Sequence, residues 1–391
     1  MALKLSVPIS RAFEPPYLAT TLGATGEIVA LFLVTRLGVL IAAATATVTV
    51  PLLPDAGTWA GGPTGIWPGV LARWDARWYL SIAQSGYKYV AGEQSNVGFA
   101  PLFPWLMHIA SSAAGRTDVD GVLGAGVIVS NVSFLLALLL LTRIVSRRWG
   151  HPVALRTSVC LLLFPTSFFL SAAYAESIFL VVAIGAIAAA DEGWWWLAGL
   201  LGGLAALARL QGVLIILPLA WLFIQQHKLR IEPSVLWLGL VPMAALSWLG
   251  YVFTVSGDPL APLHSQNASG RQLQLPWDAI AAYFAGQQTP SSLGHFYVDA
   301  AFTLLFGLLV LVAWRKLGPS SLAVFATVFY LPIILTGTTE SAPRYVLELF
   351  PAFIVLGMMT RHRIALMAYV IVGSLGSVLA ISRFALGYWI A

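Results

Sequence analysis

Apolar residues form long stretches along most of this chain, separated by short polar segments. The stretches lie at about 28–50, 120–144, 153–173, 176–190, 194–209, 211–226, 234–255, 295–314, 319–336, 344–360 and 364–386. A helix needs roughly 20 apolar residues to cross about 30 Å of hydrocarbon. The pattern therefore predicts an all-α polytopic membrane protein with about eleven transmembrane helices.

The composition excludes several other classes of protein. Of the 391 residues, 59% are hydrophobic and only 9% are charged, whereas soluble domains have about 25% charged residues. This excludes a soluble enzyme and a disordered protein, and the few, scattered basic residues behind the net charge of +5 exclude a nucleic-acid partner. We expect one membrane domain over residues 1–391, with membrane lipids around it and no separate soluble part.

The distribution of basic residues predicts the orientation in the membrane. They cluster at Lys4 and Arg11, Arg143 to Arg156, Lys228 and Arg230, Arg315 and Lys316, and Arg361 and Arg363. Because basic loops stay in the cytoplasm, the N-terminus is predicted inside and two long polar loops, about 51–119 and 256–294, outside. Within the first loop the apolar segment 99–114 contains two prolines and predicts an interfacial or re-entrant helix.

The first outer loop carries the strongest chemical pattern, between Leu71 and Tyr87. As a helix, this segment would place Trp74, Trp78 and Ile82 on one stripe. Tryptophan is favoured at the membrane interface, so this helix is predicted to lie along the outer leaflet.

Asp75 lies within this segment, and Tyr79 is four residues further on. Arg73 and Arg77 flank the carboxylate in sequence. A carboxylate held near lipid headgroups is suited to act as a general base, or to bind a polar group near a lipid phosphate. The alternative is that the two arginines bind headgroups while Asp75 pairs with one of them.

Four blocks together resemble the PIG-V-type mannosyltransferases. The first is the Trp-Asp segment that ends in Gly86-Tyr87, and the second is Asn96-Val-Gly-Phe-Ala-Pro-Leu-Phe-Pro104. The third runs from Phe164 to Phe179 and includes Tyr174-Ala-Glu-Ser177, and the fourth is Gly203-Leu-Ala-Ala-Leu-Ala-Arg-Leu-Gln-Gly212. The ending Phe384-Ala-Leu-Gly-Tyr-Trp-Ile-Ala391 is also similar.

The resemblance implies a fold and an activity. The family adds the second mannose of GPI anchors in eukaryotes and has prokaryotic relatives. Its members have the GT-C fold, a helical bundle with its active site at the outer face, and use a sugar on a polyprenyl phosphate as donor. An acidic residue of the first outer loop is the presumed base in such enzymes, and in this chain that residue is Asp75.

Two ionisable residues inside apolar stretches are further candidates. Glu176 is either a helix-start carboxylate favoured by the helix dipole or, as the resemblance implies, a sugar- or acceptor-binding residue. Arg209 follows a run of small residues that let helices approach closely. A buried arginine there needs an anionic partner, either a protein carboxylate or a lipid phosphate.

The segment from Thr338 to Tyr345 connects two outward ends. Its Arg344 is a candidate ligand for the donor phosphate because a planar guanidinium matches phosphate oxygens, and the alternative is a lipid-headgroup anchor. Some GT-C mannosyltransferases have a His-Lys-Glu-x-Arg motif at a comparable place. This chain lacks the His-Lys pair, and its Glu340 and Arg344 are four residues apart.

These observations predict a membrane glycosyltransferase that moves a hexose, expected to be mannose, from a polyprenyl phosphate to a lipid or glycan acceptor with inversion. Asp75 would be the base. The predicted donor-phosphate ligands are Arg344, Arg209 and Arg73, and the predicted sugar or acceptor ligands are Glu176, Trp74, Trp78, Tyr79, Asn96, Tyr174, Glu340 and Tyr345.

Other functions and the cellular setting stay open at this point. A polytopic transporter or flippase is the main alternative function, and a non-catalytic membrane scaffold is a weaker one. The sequence offers no convincing set of metal ligands, so no cofactor is assigned. The expected membrane is the plasma membrane in a prokaryote, which the Ala- and Gly-rich composition favours, or the endoplasmic reticulum in a eukaryote.

Overall fold

The computed structural model describes residues 15–53, 62–63, 66–228, 230, 232–268, 270–275, 277–278, 281, 290–336 and 340–390. The helices are α1 (Pro15–Thr49), α2 (Ile66–Gly69), α3 (Ala76–Ser85), α4 (Leu102–Ala113), α5 (Val119–Trp149), α6 (His151–Leu162), α7 (Glu176–Asp191), α8 (Trp195–Ala208), α9 (Ile216–His227), α10 (Leu240–Ser256), α11 (Ala261–Ala268), α12 (Pro290–Leu317), α13 (Ser321–Ile334), α14 (Ala342–Tyr345), α15 (Phe350–Met359) and α16 (Arg363–Ala385). Short 3₁₀ helices cover Asn96–Gly98, Ser167–Leu170, Leu210–Ile215, Pro233–Gly239 and Val346–Glu348. The all-α prediction is confirmed, since helices satisfy every backbone polar group within one segment.

Fewer helices than predicted are long enough to cross a bilayer. Six of the described helices meet this condition, or seven if the bent pair Ala342–Glu348 and Phe350–Met359 forms one span. By length and composition, the described helices thus support six or seven spans, whereas the sequence pattern predicts about eleven. The other predicted spans also form helices, but these are short, such as the 16 residues of α7 and the 14 residues of α8, or broken, as at the 85° bend before α15.

The helices α5, α7 and α8 form the centre of the bundle, and α8 also packs against α10. Small residues on α8 permit the close contact with α10. A Cβ atom on Gly202 would lie 2.8 Å from a methyl group of Val241, and one on Gly203 would lie 3.1 Å from the carbonyl oxygen of Leu240. The prediction of close helix approach at this small-residue run is confirmed.

The two ends of α5 and α7 differ in chemistry. At their C-terminal ends, Arg147 pairs with Glu192 and Arg148 pairs with Asp191. At their N-terminal ends lie Glu176 and the first outer loop, whose helices α3 and α4 pack against α5. Arg147 and Arg148 of one basic cluster thus lie at the opposite end of these central helices from the first outer loop. Lys4 and Arg11 lie outside the described residues.

The C-terminal segment contacts the first outer loop. The Trp74 indole donates to the carbonyl of Tyr388 at 3.3 Å, and its ring lies 5.0 Å from that of Trp389 at a right angle. The guanidinium of Arg73 donates to the carbonyl of Ala385 at 3.0 Å. These contacts join the end of the chain to the turn that carries Asp75.

Candidate active site

Asp75 lies immediately before α3, at the start of a turn rather than inside the helix. The N–H of Trp78 donates to the Asp75 carbonyl at 2.9 Å, but the carboxylate makes no capping hydrogen bond to this helix. The preceding Trp74 has a φ of 51°, which is unusual for a bulky residue. The Asp75 side chain is 17% exposed, so its carboxylate is available to partners outside its own helix.

Arg344 is the partner of the Asp75 carboxylate. Its Nη1 donates to Asp75 Oδ2 at 2.5 Å, and its Nε donates to Glu176 Oε1. With 2% exposure, Arg344 cannot serve as a lipid-headgroup anchor, so that alternative is wrong. The alternative in which Asp75 pairs with Arg73 or Arg77 is also wrong, because the buried guanidinium of Arg344 takes the carboxylate as a counterion.

Arg209 extends this network on the other side of Glu176. Its Nη1 donates to Glu176 Oε1 at 2.7 Å, and its Nε lies 2.8 Å from Glu348 Oε1. Gln211 approaches the second oxygen of Glu348, with its Nε2 at 3.4 Å. The sequence allows either a protein carboxylate or a lipid phosphate as the partner of Arg209. The structure places protein carboxylates beside it.

Together these side chains form a network of alternating charge. In order, its members are Asp75, Arg344, Glu176, Arg209 and Glu348. Each guanidinium contacts two carboxylates, which is how buried charges are tolerated. The buried Oε2 of Glu176 makes no hydrogen bond with any residue that the structure describes. Ionisable residues gathered inside a membrane bundle usually mark a functional site.

Tyr174 lies against this network and supports the Asp75 turn. The guanidinium carbon of Arg344 is 4.3 Å from the centre of the Tyr174 ring, a cation–π distance. The Tyr174 hydroxyl donates to the carbonyl of Arg73 at 2.9 Å. Its fully buried ring and occupied hydroxyl give Tyr174 a positioning role, and its predicted contact with sugar stays a prediction.

Tyr345 lies between the network and a residue of the second outer loop. The guanidinium carbons of Arg209 and Arg271 are 5.2 and 5.1 Å from the centre of its ring. Arg271 donates through Nη1 to the Tyr345 hydroxyl and through Nη2 to Ser341 Oγ at 3.1 Å. Tyr345 therefore lies beside the network, and its predicted contact with sugar or acceptor stays a prediction.

The three aromatic residues of the first outer loop occupy different environments. Helix α3 begins at Ala76, so Trp74 precedes it and does not share a helical stripe with Trp78, contrary to the prediction. Trp78 stacks on Phe99 with ring centres 6.0 Å apart. Tyr79 is buried among other rings, and this burial raises the pKa of its phenol above the usual range. Its phenol therefore stays neutral.

Asn96 is buried, and its amide joins parts of the first outer loop. Its Oδ1 accepts from the N–H of Lys88 at 2.7 Å, and its Nδ2 donates to Ser81 Oγ and the Gly86 carbonyl at 3.0 Å. These contacts give Asn96 a role in holding the loop. Its predicted contact with sugar or acceptor stays a prediction.

Two charged residues of the site were missing from the sequence-based prediction. Glu348 lies in a predicted span, where an ionisable residue is a signal of function, and it is four residues after Arg344. Arg271 lies in a polar loop and has no such local signal. Glu340, which was predicted, is exposed, and its predicted contact with sugar or acceptor stays a prediction.

The site contains carboxylates but no evident metal centre. Among the described residues, no group of three or more His, Cys, Asp or Glu side chains could hold a metal ion. The carboxylates of Asp75, Glu176 and Glu348 all face guanidinium groups instead. The arrangement can orient a carboxylate for proton transfer and offers guanidinium groups to an anionic substrate.

Comparisons with known proteins agree with the sequence blocks. Residues 61–229 match the family described as Mannosyltransferase (PIG-V). This range contains all four sequence blocks, but it does not include the similar ending at residues 384–391. GPI mannosyltransferase 2 of Cryptococcus neoformans is 32% identical over 121 residues, which are 29% of this chain and 27% of that protein. GPI alpha-1,6-mannosyltransferase 2 of Mus musculus is 29% identical over 153 residues, which are 37% of this chain and 30% of that protein.

A solved structure extends the likeness beyond this segment. The crystal structure of ArnT from Cupriavidus metallidurans bound to undecaprenyl phosphate matches with a TM-score of 0.50 and 14% identity, over 89% of this chain and 63% of that chain. At this identity the match concerns the fold alone. This chain covers less than a third of the curated relatives named above. It resembles the PIG-V mannosyltransferases over residues 61–229 and has the GT-C fold of a multi-pass membrane protein.

Proposed function

We propose that this protein transfers a hexose, with mannose the first choice, from a polyprenyl phosphate to a hydroxyl group of a lipid or glycan acceptor. The likeness of residues 61–229 to mannosyltransferases supports the reaction class. The fold shared with ArnT, whose solved structure holds undecaprenyl phosphate, supports a lipid-linked donor. The reaction would take place at the outer face of the membrane, where the first outer loop is predicted.

The arrangement around Asp75 is the observation that carries this proposal. One carboxyl oxygen, Oδ2, accepts from Arg344 at 2.5 Å. The other, Oδ1, makes no hydrogen bond with any residue that the structure describes, and the side chain is partly exposed. A general base needs an oriented carboxylate with one lone pair open to the substrate, and Asp75 meets both conditions.

The proposed reaction is a single displacement. Asp75 Oδ1 takes the proton of the acceptor hydroxyl while that oxygen attacks the anomeric carbon of the sugar. The bond between the anomeric carbon and the phosphate oxygen breaks, and the electron pair leaves with the polyprenyl phosphate. Attack from the opposite face inverts the anomeric centre, so a β-linked donor gives an α-linked product.

Arg344 and Glu176 would orient the base in this reaction. Arg344 holds Oδ2 of Asp75, and Glu176 holds Arg344 in turn. Arg209 fixes Glu176 from the other side, so three charged residues in series maintain the position of the Asp75 carboxylate. Holding reacting groups in place is itself a large catalytic effect, and misplacement by about 1 Å can cost about 100-fold in rate.

The test is transfer of radiolabelled mannose from polyprenyl-phosphate mannose by the purified protein in lipid. Wild-type protein should move label to an acceptor, and Asp75→Asn should lower turnover by about 100- to 10,000-fold without loss of folded protein. Asp118→Asn is the matched control, since Asp118 is an exposed loop carboxylate paired with Arg116. Transfer at the wild-type rate by Asp75→Asn would disprove the base. Label that crosses the bilayer unchanged would indicate a transporter instead.

A further inference from the structure

Two of the three arginines that the sequence assigns to the donor phosphate already have carboxylate partners. The third, Arg73, is buried and donates to the carbonyl of Ala385. Arg344 lies between Asp75 and Glu176, and Arg209 lies between Glu176 and Glu348. Two guanidinium groups thus face three carboxylates, and the charge of each arginine is already compensated. An added phosphate would have to compete with these buried ion pairs.

Arg271 differs from Arg344 and Arg209 in the charge of its partners. It donates to two neutral oxygens, the Tyr345 hydroxyl and Ser341 Oγ, the latter at 3.1 Å. It forms no ion pair with any carboxylate that the structure describes. Its side chain is half-buried, so the charge is only partly solvated. A guanidinium has five N–H donors, and at least two remain for another partner.

Backbone hydrogen bonds hold the segment that carries Arg271. The N–H groups of Gln272 and Gln274 donate to the carbonyls of Thr336 and Leu335 at 3.2 and 3.0 Å. The N–H of Arg271 itself donates to the Gln266 carbonyl at 3.1 Å. The second outer loop is thereby joined to the segment that leads into α14, and Arg271 is positioned beside the site.

Tyr345 places Arg271 next to the charged network. The same ring is approached by Arg271 at 5.1 Å and by Arg209 at 5.2 Å. Tyr345 directly follows Arg344, whose Nη1 holds Asp75. An anion bound by Arg271 would therefore lie near the proposed base without displacing any of the ion pairs that orient it.

We propose that Arg271 binds the phosphate of the lipid-linked donor, and that Arg344 and Arg209 serve to position the carboxylates. This inference rests on the proposed function for the identity of the ligand. A planar guanidinium binds two phosphate oxygens at once, which a point charge cannot do. During transfer, the same contact stabilises the negative charge that grows on the leaving phosphate.

Binding of two lipids that differ only in the phosphate tests this assignment. Undecaprenyl phosphate and undecaprenol are titrated into the full-length protein in discs of phosphatidylcholine, which has no net charge. Arg271→Gln should weaken binding of undecaprenyl phosphate by about tenfold or more and leave undecaprenol binding unchanged. Arg383→Gln is the matched control, since Arg383 is exposed and lies over the Tyr388 ring.

Arg271→Lys keeps the charge and serves as a second variant. It should weaken binding of undecaprenyl phosphate by less than Arg271→Gln does, and it still gives a result if the glutamine variant fails to fold. Equal binding of undecaprenyl phosphate by wild type and both variants would overturn the proposal. A change confined to binding of phosphatidylglycerol vesicles would also overturn it, because Arg271 would then be a headgroup anchor.

The results can distinguish failure of the Arg271 phosphate site from failure of the proposed transferase function. Wild-type protein that binds undecaprenyl phosphate through Arg271 but transfers no sugar would refute the transferase and retain the phosphate site. Wild-type protein that transfers sugar, with unchanged donor binding and unchanged donor KM in both Arg271 variants, would refute the phosphate site and retain the transferase.

Discussion

Arg344 donates to Asp75 at 2.5 Å and thereby joins two residues that are 269 positions apart in the chain. The contact connects the turn before α3 with the start of α14. The other carboxyl oxygen of Asp75 accepts no hydrogen bond from any residue in the part of the chain that the structure describes. The proposed base is therefore oriented by the second half of the chain, outside the segment that matches the mannosyltransferase family.

A double-mutant cycle measures this contact. Arg344→Gln should lower the free energy of unfolding by about 3–5 kcal/mol, because the partly exposed Asp75 loses its ion-pair partner and the buried Glu176 loses one of two. The double variant with Asp75→Asn should lose less free energy of unfolding than the two single variants lose in sum. The difference, which is the coupling energy, should be about 0.5–3 kcal/mol. The measurement is chemical denaturation in detergent. The effects of Arg344→Gln and Asp118→Asn should add, because Asp118 pairs with Arg116 and not with Arg344. Additive effects of Arg344→Gln and Asp75→Asn would contradict the contact.

Glu348 is expected to matter for stability although it was missing from the sequence-based prediction. Glu348→Gln removes one of the two carboxylates that face Arg209, whose Nε lies 2.8 Å from Glu348 Oε1. Breaking a buried ion pair should cost about 3–5 kcal/mol in the free energy of unfolding. Glu93→Gln, the same change at an exposed loop position, should stay within about 0.5 kcal/mol. Equal effects of the two variants would show that the buried pair contributes nothing.

The C-terminal segment should affect turnover through the Asp75 turn. Trp389→Ala removes the ring that packs on Trp74, the residue with a φ of 51° next to Asp75. Because the base would be less well held, turnover should fall about 10- to 100-fold. The KM for the donor should change little, since neither Trp389 nor Trp74 is among the hydrogen-bond or ring partners of Arg271. Steady-state kinetics of this variant and of Trp196→Ala, an exposed tryptophan, provide the comparison. Unchanged turnover in Trp389→Ala would separate the segment from catalysis.

Contacts of Asp258 between the two outer loops should depend on pH. The Tyr89 hydroxyl donates to Asp258 Oδ2 at 3.1 Å, and His264 Nδ1 lies 2.6 Å from the same oxygen. The hydrogen bond with His264, and one from the N–H of Leu260, hold the pKa of the Asp258 carboxyl below its usual range. A carboxyl group of this kind stabilises the folded state above its unfolded pKa of about 3.9, and loses this effect as the pH falls through its folded pKa.

Unfolding temperatures measured over a range of pH test whether the stabilising effect of Asp258 is lost in acid. The wild-type protein should unfold at a higher temperature than Asp258→Asn at neutral pH, and the gap should narrow as the pH falls below about 4. Glu93→Gln is the control for a general effect of removing a loop carboxylate. A gap that widens in acid would reverse the assigned direction of the pKa shift.

Much of the architecture was predictable because it depends on local pattern. Each of the eleven apolar stretches contains a helix in the structure, since a helix satisfies its own backbone hydrogen bonds whatever lies around it. The number of spans was not predictable in this way. The length of α7 and the bend before α15 depend on turns whose geometry is set by packing against other helices.

The candidate site, like the fold, was only partly predictable from the sequence. The sequence by itself identified Asp75, Glu176, Arg209 and Arg344, because charged residues in an apolar chain are costly and therefore conspicuous. Only the tertiary structure decided their partners and added Glu348 and Arg271. The physical reason is that an ion pair depends on distance in space, and the segments carrying Asp75, Glu176, Arg209 and Arg344 meet only when the bundle is assembled.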